Sequence, residues 1–550
     1  INIIILKFYN LIEIIKMVAV IALSLLLYQS IATGSNETSY SFFQDSNITF
    51  NDFNSHKNKK TEFHSLKMKS SFICNGVGQE LQINDENFQN TAAITNENTC
   101  SSIKIFHCTF TNVAITSISQ TNGQISIIYI KSIDLFIDDS TFSNCYSNII
   151  ITRSNTQDTT SAKFPISNYI ICHAVYIDEN ADHVVNITKC SFSDNGIPTE
   201  TDGSIIYSNK ADKINIEFSI FNSDTTSTRA LETFYTKDIN LISNSFNKMK
   251  SPKNQNGGAL LIQFADNVQI CDCIFDSNTL QPDSSQTTDS NIYGSAFFIN
   301  LKSTLTFLNN TITNHADYLN SVITFNSNEL TTESTINGES LIEENLPIKR
   351  KVTISDSKFI QNSFSKAKDG NGIGLFIEDY SEDDTASYFL LIEFSGCFFE
   401  KNGNNDCSSS VLEWTRKTSL FSFLNCVFDS NTAKAGSSML TMTNGPSLVV
   451  EDCVIENMNG LSFLQFEPLT TAAPNSQIKS VEVIILHSTF TGDSTKKVGS
   501  DFILAEGETL YDFFLNVDNS TFSELYLNSN QEYLIKSSSN NLQVLSCQFN

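Results

Sequence analysis

Fourteen short phrases recur along this chain: CTFTN, STFSNC, CSFSDN, SIFN, NSFN, CIFDSN, TITN, SKFIQN, CFFEKN, CVFDSN, CVIEN, STFTGD, STFSEL and CQFN. Aligned on their third residue, they give the anchors Phe110, Phe142, Phe192, Phe221, Phe246, Phe275, Ile312, Phe359, Phe399, Phe428, Ile455, Phe490, Phe522 and Phe549, spaced 25 to 50 residues apart. Self-similarity at such a period marks a repeat array, in which each unit buries its apolar face by stacking on its neighbours.

The residues upstream of the anchor turn the phrase into a structure. Every anchor has apolar residues seven and five positions before it, as in Ile103 and Ile105 or Val352 and Ile354. Alternation with period two predicts a strand, and the Cys, Ser or Asn two residues before the anchor shares the anchor's face of a second short strand. The step from minus five to minus two is three residues, so both pairs face inward only if the chain turns a corner between them. At minus three, eight of the fourteen copies carry Asn, Asp or Gly, the residues that tolerate left-handed backbone at a sharp bend. A third strand precedes the pair in most copies, as in GALLIQF, SAFFINL, IGLFIED, SVLEWTR and SSMLTMT.

Three strands, a corner and an Asn-bearing turn make one coil of a parallel β-helix. The fold expected is therefore all-β, a single-stranded right-handed parallel β-helix solenoid of about 14 coils. At about 4.8 Å per coil it forms a rod on the order of 65 Å long. The anchors stack as an interior ladder, each contributing roughly 1.5–3 kcal/mol of burial, and Asn after the anchor stacks as a hydrogen-bonded ladder. An immunoglobulin-like array would instead repeat in domains of about 100 residues. Polar inserts near 154–165, 279–291, 326–350, 379–387 and 470–480 fall after anchors, along one edge.

Composition agrees. With 42 Phe and 16 Tyr the chain carries too much apolar material for a disordered segment, and 21 Gly with no heptads exclude collagen and coiled coil. Its net charge of -26 repels phosphate backbones, so no nucleic acid partner is expected.

The first residues read as an export signal. Residues 1–16 resemble translated leader sequence, Met17 reads as the start, and 17–32 form a signal peptide with an apolar stretch from Val18 to Leu27 and cleavage after Ala32. Residues 33–99 are expected to form an N-terminal cap and degenerate coil, and 100–550 the β-helix, continuing past Asn550. Asn36, Asn47, Asn186, Asn309 and Asn519 head glycosylation tripeptides. A secreted or cell-surface location follows, with any membrane attachment through a segment absent from this chain.

Seven of the thirteen Cys occupy the slot two before the anchor, where other copies have Ser or Asn. Cys397, Cys426 and Cys453 read as a buried thiol stack, because side chains in a ladder lie parallel and do not converge on an ion. Cys74 with Cys100 is the candidate disulfide. No HExxH, GxSxG or P-loop occurs, and His107 and His487 fall at the corner. No catalytic residue, metal ligand or cofactor is assigned.

CIFDSN (273–278), SKFIQN (357–362), CFFEKN (397–402) and CVFDSN (426–431), with GGAL (257–260), resemble the FxxN and GGA[I/L/V] repeats of the polymorphic outer membrane protein family, whose fold is pectin-lyase-like. The resemblance implies a surface-displayed right-handed β-helix used in adhesion, with a host-cell, matrix or glycan ligand. The leading expectation is a non-enzymatic adhesion or binding module, and the alternative is a β-helix polysaccharide lyase or glycoside hydrolase.

Overall fold

The computed structural model describes residues 78–550 with breaks, the longest at 116–125, 153–168, 281–293, 327–348, 380–388 and 469–479. These residues belong to one compact unit, Met68–Asn550. Among them there is no helix, and the chain is a parallel β-helix. The expected inserts fall almost wholly in the breaks, and the leader, the signal peptide and the cap up to residue 77 lie outside the described residues.

Each anchor up to Phe522 centres a three-residue strand, such as Thr109–Thr111 or Val427–Asp429, Phe549 ends the two-residue strand Gln548–Phe549, and these strands pair in parallel into one sheet of fifteen. The preceding strand of each coil, such as Asp134–Asp138 or Ser447–Glu451, stacks on its equivalents in a second sheet with residues in step. In the first half of the solenoid the third strand belongs to that second sheet. In the second half the strands from Gly372–Ile373 to Ile535–Ser537 make a separate sheet of six.

Among the described residues the anchor sheet has fifteen strands, one more than the fourteen repeated phrases, in keeping with a solenoid of about fourteen coils. Residues 79–89, within the 33–99 stretch expected to hold a cap and degenerate coil, stack on the next coil: Gln79–Asn84 pairs with Cys100–Phe106, in step from Glu80 onward after a shift at Gln79, and Asn87–Gln89 pairs with Thr109–Thr111. Phe88 is the extra anchor, with its ring 4.4 Å from Phe110. Its phrase reads ENFQN, with Glu86 where other copies place a small residue, which hid it from the pattern.

Seven rings from Phe88 to Phe275 stack in sequence at 4.4 to 5.2 Å. The column resumes at Phe359, Phe399 and Phe428 and again at Phe490, Phe522 and Phe549. Phe549, in the last coil, rests on Phe522 but is 54% exposed. Where the anchor shrinks to Ile312, a larger residue at minus five restores volume: Phe307 lies 6.3 Å from Phe275 and 6.5 Å from Phe359.

The corner is more uniform than its residues. All fifteen positions three before the anchor have positive φ, from Asp139 at 47° to Gly396 at 64°. Lys189, Phe218 and Ser243 adopt it although left-handed backbone costs such residues roughly 1–2 kcal/mol. Stacking overrides local preference, because a coil without its corner would turn its apolar pair outward.

Two interior ladders flank the anchors. Three residues after the anchor, Asn362, Asn402 and Asn431 are buried and bonded in series: Asn402 Oδ1 accepts from the Asn362 backbone N–H at 3.2 Å, and Asn431 Oδ1 from the Asn402 N–H at 3.0 Å. Asn195 does the same for Cys145 and Asn278 for Met249. Two residues before the anchor, Ser140, Ser219, Asn244 and Asn310 each accept the backbone N–H of the adjoining coil. Small polar side chains thus satisfy the backbone groups that the turns leave inside.

Candidate functional site: the outward faces

Stacking also orders the side chains that point outward. In the strand before the corner, the middle outward position forms a column through Asn186, Asn215, Asn240, Gln269, Thr306 and Thr353, each opposite the next in register. None is buried. Asn215 donates to Asn186 Oδ1 at 2.6 Å and Asn240 donates to Asn215 Oδ1 at 2.8 Å. Beside this column, Asn267 donates to Asp238 and Thr304 to Asn267, at 2.8 and 2.7 Å. The result is a face of amides and hydroxyls spaced by about one inter-strand distance per coil, with bonds along the axis joining Asn186, Asn215 and Asn240 and, beside them, Asp238, Asn267 and Thr304.

The third strand differs, because in several coils both of its faces are buried. Cys172–Asp178, Ser204–Asn209 and Arg229–Phe234 are buried at nearly every position. On the outward side Tyr129, Tyr176 and Tyr207 follow one another in register, with ring centroids 5.7 and 5.0 Å apart, and Glu232 takes the next place. Arg229 is fully buried, with Nη1 3.4 Å from Glu232 Oε2 and Nη2 donating to Gln255 Oε1 at 2.8 Å. Ser204 donates to the same Glu232 oxygen at 3.4 Å. Burial, followed by the neighbouring Tyr207, pushes the Tyr176 hydroxyl well above its ordinary pKa, so it remains a neutral donor. This ion pair was not legible in the sequence, where Glu232 stands at an outward strand position that ordinarily faces water.

The sequence-derived residues divide as follows. Asn186 lies in the amide column, while Asn309 and Asn519 occupy left-handed corners on one edge, both exposed. Asn309 Nδ2 donates to Asp272 Oδ1 at 2.7 Å. Asn36, Asn47 and Cys74 lie outside the described residues. Cys100 is disulfide-bonded, to a partner that is not among the ten free cysteines of the described residues.

Six of the seven slot thiols are buried and Cys547 is half-buried; they bond to carbonyls of their own and the adjoining coil, as in Cys453 to Phe423 O and Glu451 O, both at 3.3 Å. Burial pushes Cys190 and Cys273 up to about 12, and Cys426, between the Cys397 and Cys453 thiols, is raised by those two hydrogen-bonding neighbours and by burial. The hydrogen bonds to Cys426 lower Cys397 and Cys453 in turn. Enclosed away from solvent, the buried slot thiols pack rather than react.

His107 stands at a corner between Asp85 and Asp139, at 3.6 and 3.7 Å. At another corner, single ligand atoms of Glu451, Asp452 and His487 lie within 4.8 Å of one another, a grouping of types that can hold a divalent ion.

His315 takes the inward slot that Asn fills elsewhere. Its Nδ1 lies 3.0 Å from Ser295 Oγ and its Nε2 3.3 Å from the Phe275 carbonyl oxygen. Burial lowers its pKa to about 4. The unfolded chain takes up this proton first as pH falls, so the stability difference is nil above about pH 7 and grows between about 6.5 and 4, to a loss on the order of 3 kcal/mol. Urea unfolding at both ends of that range should show His315→Asn losing less stability in acid than the unchanged protein.

Neither a protein-family model nor a curated protein matches this sequence.

Proposed function

We propose that the protein is an exported, non-enzymatic adhesion module of the surface or matrix, and that its ligand is an extended glycan lying along the solenoid axis on the amide face. The observation that carries this reading is the column from Asn186 to Thr353, which presents a polar side chain once per coil in register, with Asn186, Asn215 and Asn240 joined along the axis. Sugar hydroxyls need paired donors and acceptors, and the advance per coil is close to the advance per sugar of an extended chain. Prior ordering of the amides by their mutual bonds lowers the entropy lost on binding. The resemblance to polymorphic outer membrane protein repeats supports display at a surface, and the tripeptides at Asn309 and Asn519, at the corners, suit export.

The test is binding of the unglycosylated protein to a panel of linear polysaccharides. Replacing Asn215, Asn240 and Gln269 together by Ala should weaken the best ligand at least about tenfold, about 1.4 kcal/mol, with unchanged melting. Equal binding by the triple variant, or cleavage of any polysaccharide by the purified protein, would overturn the reading.

One observation favours a second reading, that of a carbohydrate-active enzyme: the buried Arg229–Glu232 pair beside Tyr207. That reading requires turnover that is abolished in Glu232→Gln.

A further inference from the structure

The anchor strands also present two outward columns, one residue before and one after the anchor. Over three consecutive coils these columns differ sharply in chemistry. Before the anchor stand Phe398, Val427 and Val454, paired in register, with Val454 38% exposed. After it stand Glu400, Asp429 and Glu456, in the same register. An apolar stripe and an acidic stripe therefore run side by side along the axis, about 7 Å apart by the rise of two strand residues.

Both stripes stop together. The coil above places Lys358 and Ile360 in these positions and the coil below places Thr489 and Thr491. Lys401 pairs with Glu400, and Asp429 accepts hydrogen bonds from Ser430 and Asn457, both at 2.8 Å. Glu451 and Asp452, on the same coil as Glu456, are grouped with His487 at the preceding corner. Like charges stacked one per coil repel, and a cationic partner relieves that repulsion.

We infer that Phe398, Val427 and Val454 with Glu400, Asp429 and Glu456 form a docking surface for a basic amphipathic helix of a partner protein. Spacing selects the helix. Side chains on one stripe of a helix recur once per turn, about 5.4 Å, so two turns span about 11 Å against about 10 Å for two coil intervals. An extended strand laid along the axis repeats on one face about every 6.8 Å and falls out of step by the third coil. A helix with apolar residues at i, i+4 and i+7 and Lys or Arg on the adjoining stripe meets both columns at once. This surface lies in other coils and on another face than the amide column, so it does not depend on the glycan reading.

The probe is a synthetic helical peptide of about four turns, with Leu on one stripe and Lys on the next, titrated into the full chain by fluorescence anisotropy. Charge reversal by Glu400→Lys, Asp429→Lys and Glu456→Lys together should weaken it at least about tenfold and flatten its salt dependence. Val427→Ser with Val454→Ser should weaken it with the salt dependence kept. Reversing Glu80, Asp85 and Asp139, in the first coils, should leave it unchanged. Equal weakening by the Glu80, Asp85 and Asp139 set would mean non-specific attraction to an acidic protein and would overturn the inference. So would undiminished binding to the Glu400, Asp429 and Glu456 variant at unchanged melting, or equal binding of a peptide with Glu in place of Lys.

Discussion

Replacing Asn402 by Leu should cost about 3–5 kcal/mol, far more than an apolar substitution in an apolar interior would suggest. Asn402 Oδ1 accepts from both the backbone N–H and the side-chain amide of Asn362, and its Nδ2 donates to the Phe359 carbonyl at 2.8 Å and to Asn431 at 3.1 Å. Leu fills a similar volume but leaves the Asn362 N–H and the Phe359 carbonyl buried without these bonds. Each such group costs about 1–3 kcal/mol. Urea unfolding gives the size, and amide exchange of the adjoining turns gives the place. Gln269→Leu, an exposed change on the amide face, should stay within about 0.5 kcal/mol. Similar values for the two would mean that the inner amides do not bear the load assigned to them.

Phe246→Ala is the second large effect, again about 3–5 kcal/mol. Its ring lies between Phe221 at 5.2 Å and Phe275 at 4.8 Å, and it is fully buried. Neighbouring coils are held in register by their backbone ladders and cannot close the gap. In a solenoid the loss is felt by the adjoining coils, so melting should broaden as well as fall. Phe549→Ala should cost much less, because that ring is already more than half exposed.

The fold was legible because each level of the sequence repeats the same instruction. Apolar residues at minus seven and minus five, the small residue at minus two and the anchor all point inward only if a corner separates the strands. What local chemistry did not reveal was the left-handed backbone at Lys189, Phe218 and Ser243, where stacking imposes a conformation that those residues do not favour. The coil at Phe88 was obscured for a similar reason, since Glu86 breaks the phrase while its backbone register holds. The sites were less legible. Asn186, Asn215 and Asn240 are separated by 29 and 25 residues, and only the register of the coils brings them into one column. The same holds for Phe398, Val427 and Val454. The Arg229–Glu232 pair is hidden more deeply, because its burial depends on cover over an outward strand face, including the turn that carries Gln255.

The central claim is that one phrase with its upstream strands is one stackable coil. Excision of residues 222–246, the interval from one anchor to the next, tests it directly. The splice sets Ile214 and Ile216 over Val268 and Ile270, which already share a column through Ile239 and Leu241. Circular dichroism and thermal unfolding should show a β-rich, cooperatively melting protein, whereas excision of 222–233 alone, which removes part of a coil, should abolish the transition. Loss of cooperative folding on removing the whole interval, or equal tolerance of the partial one, would contradict the account.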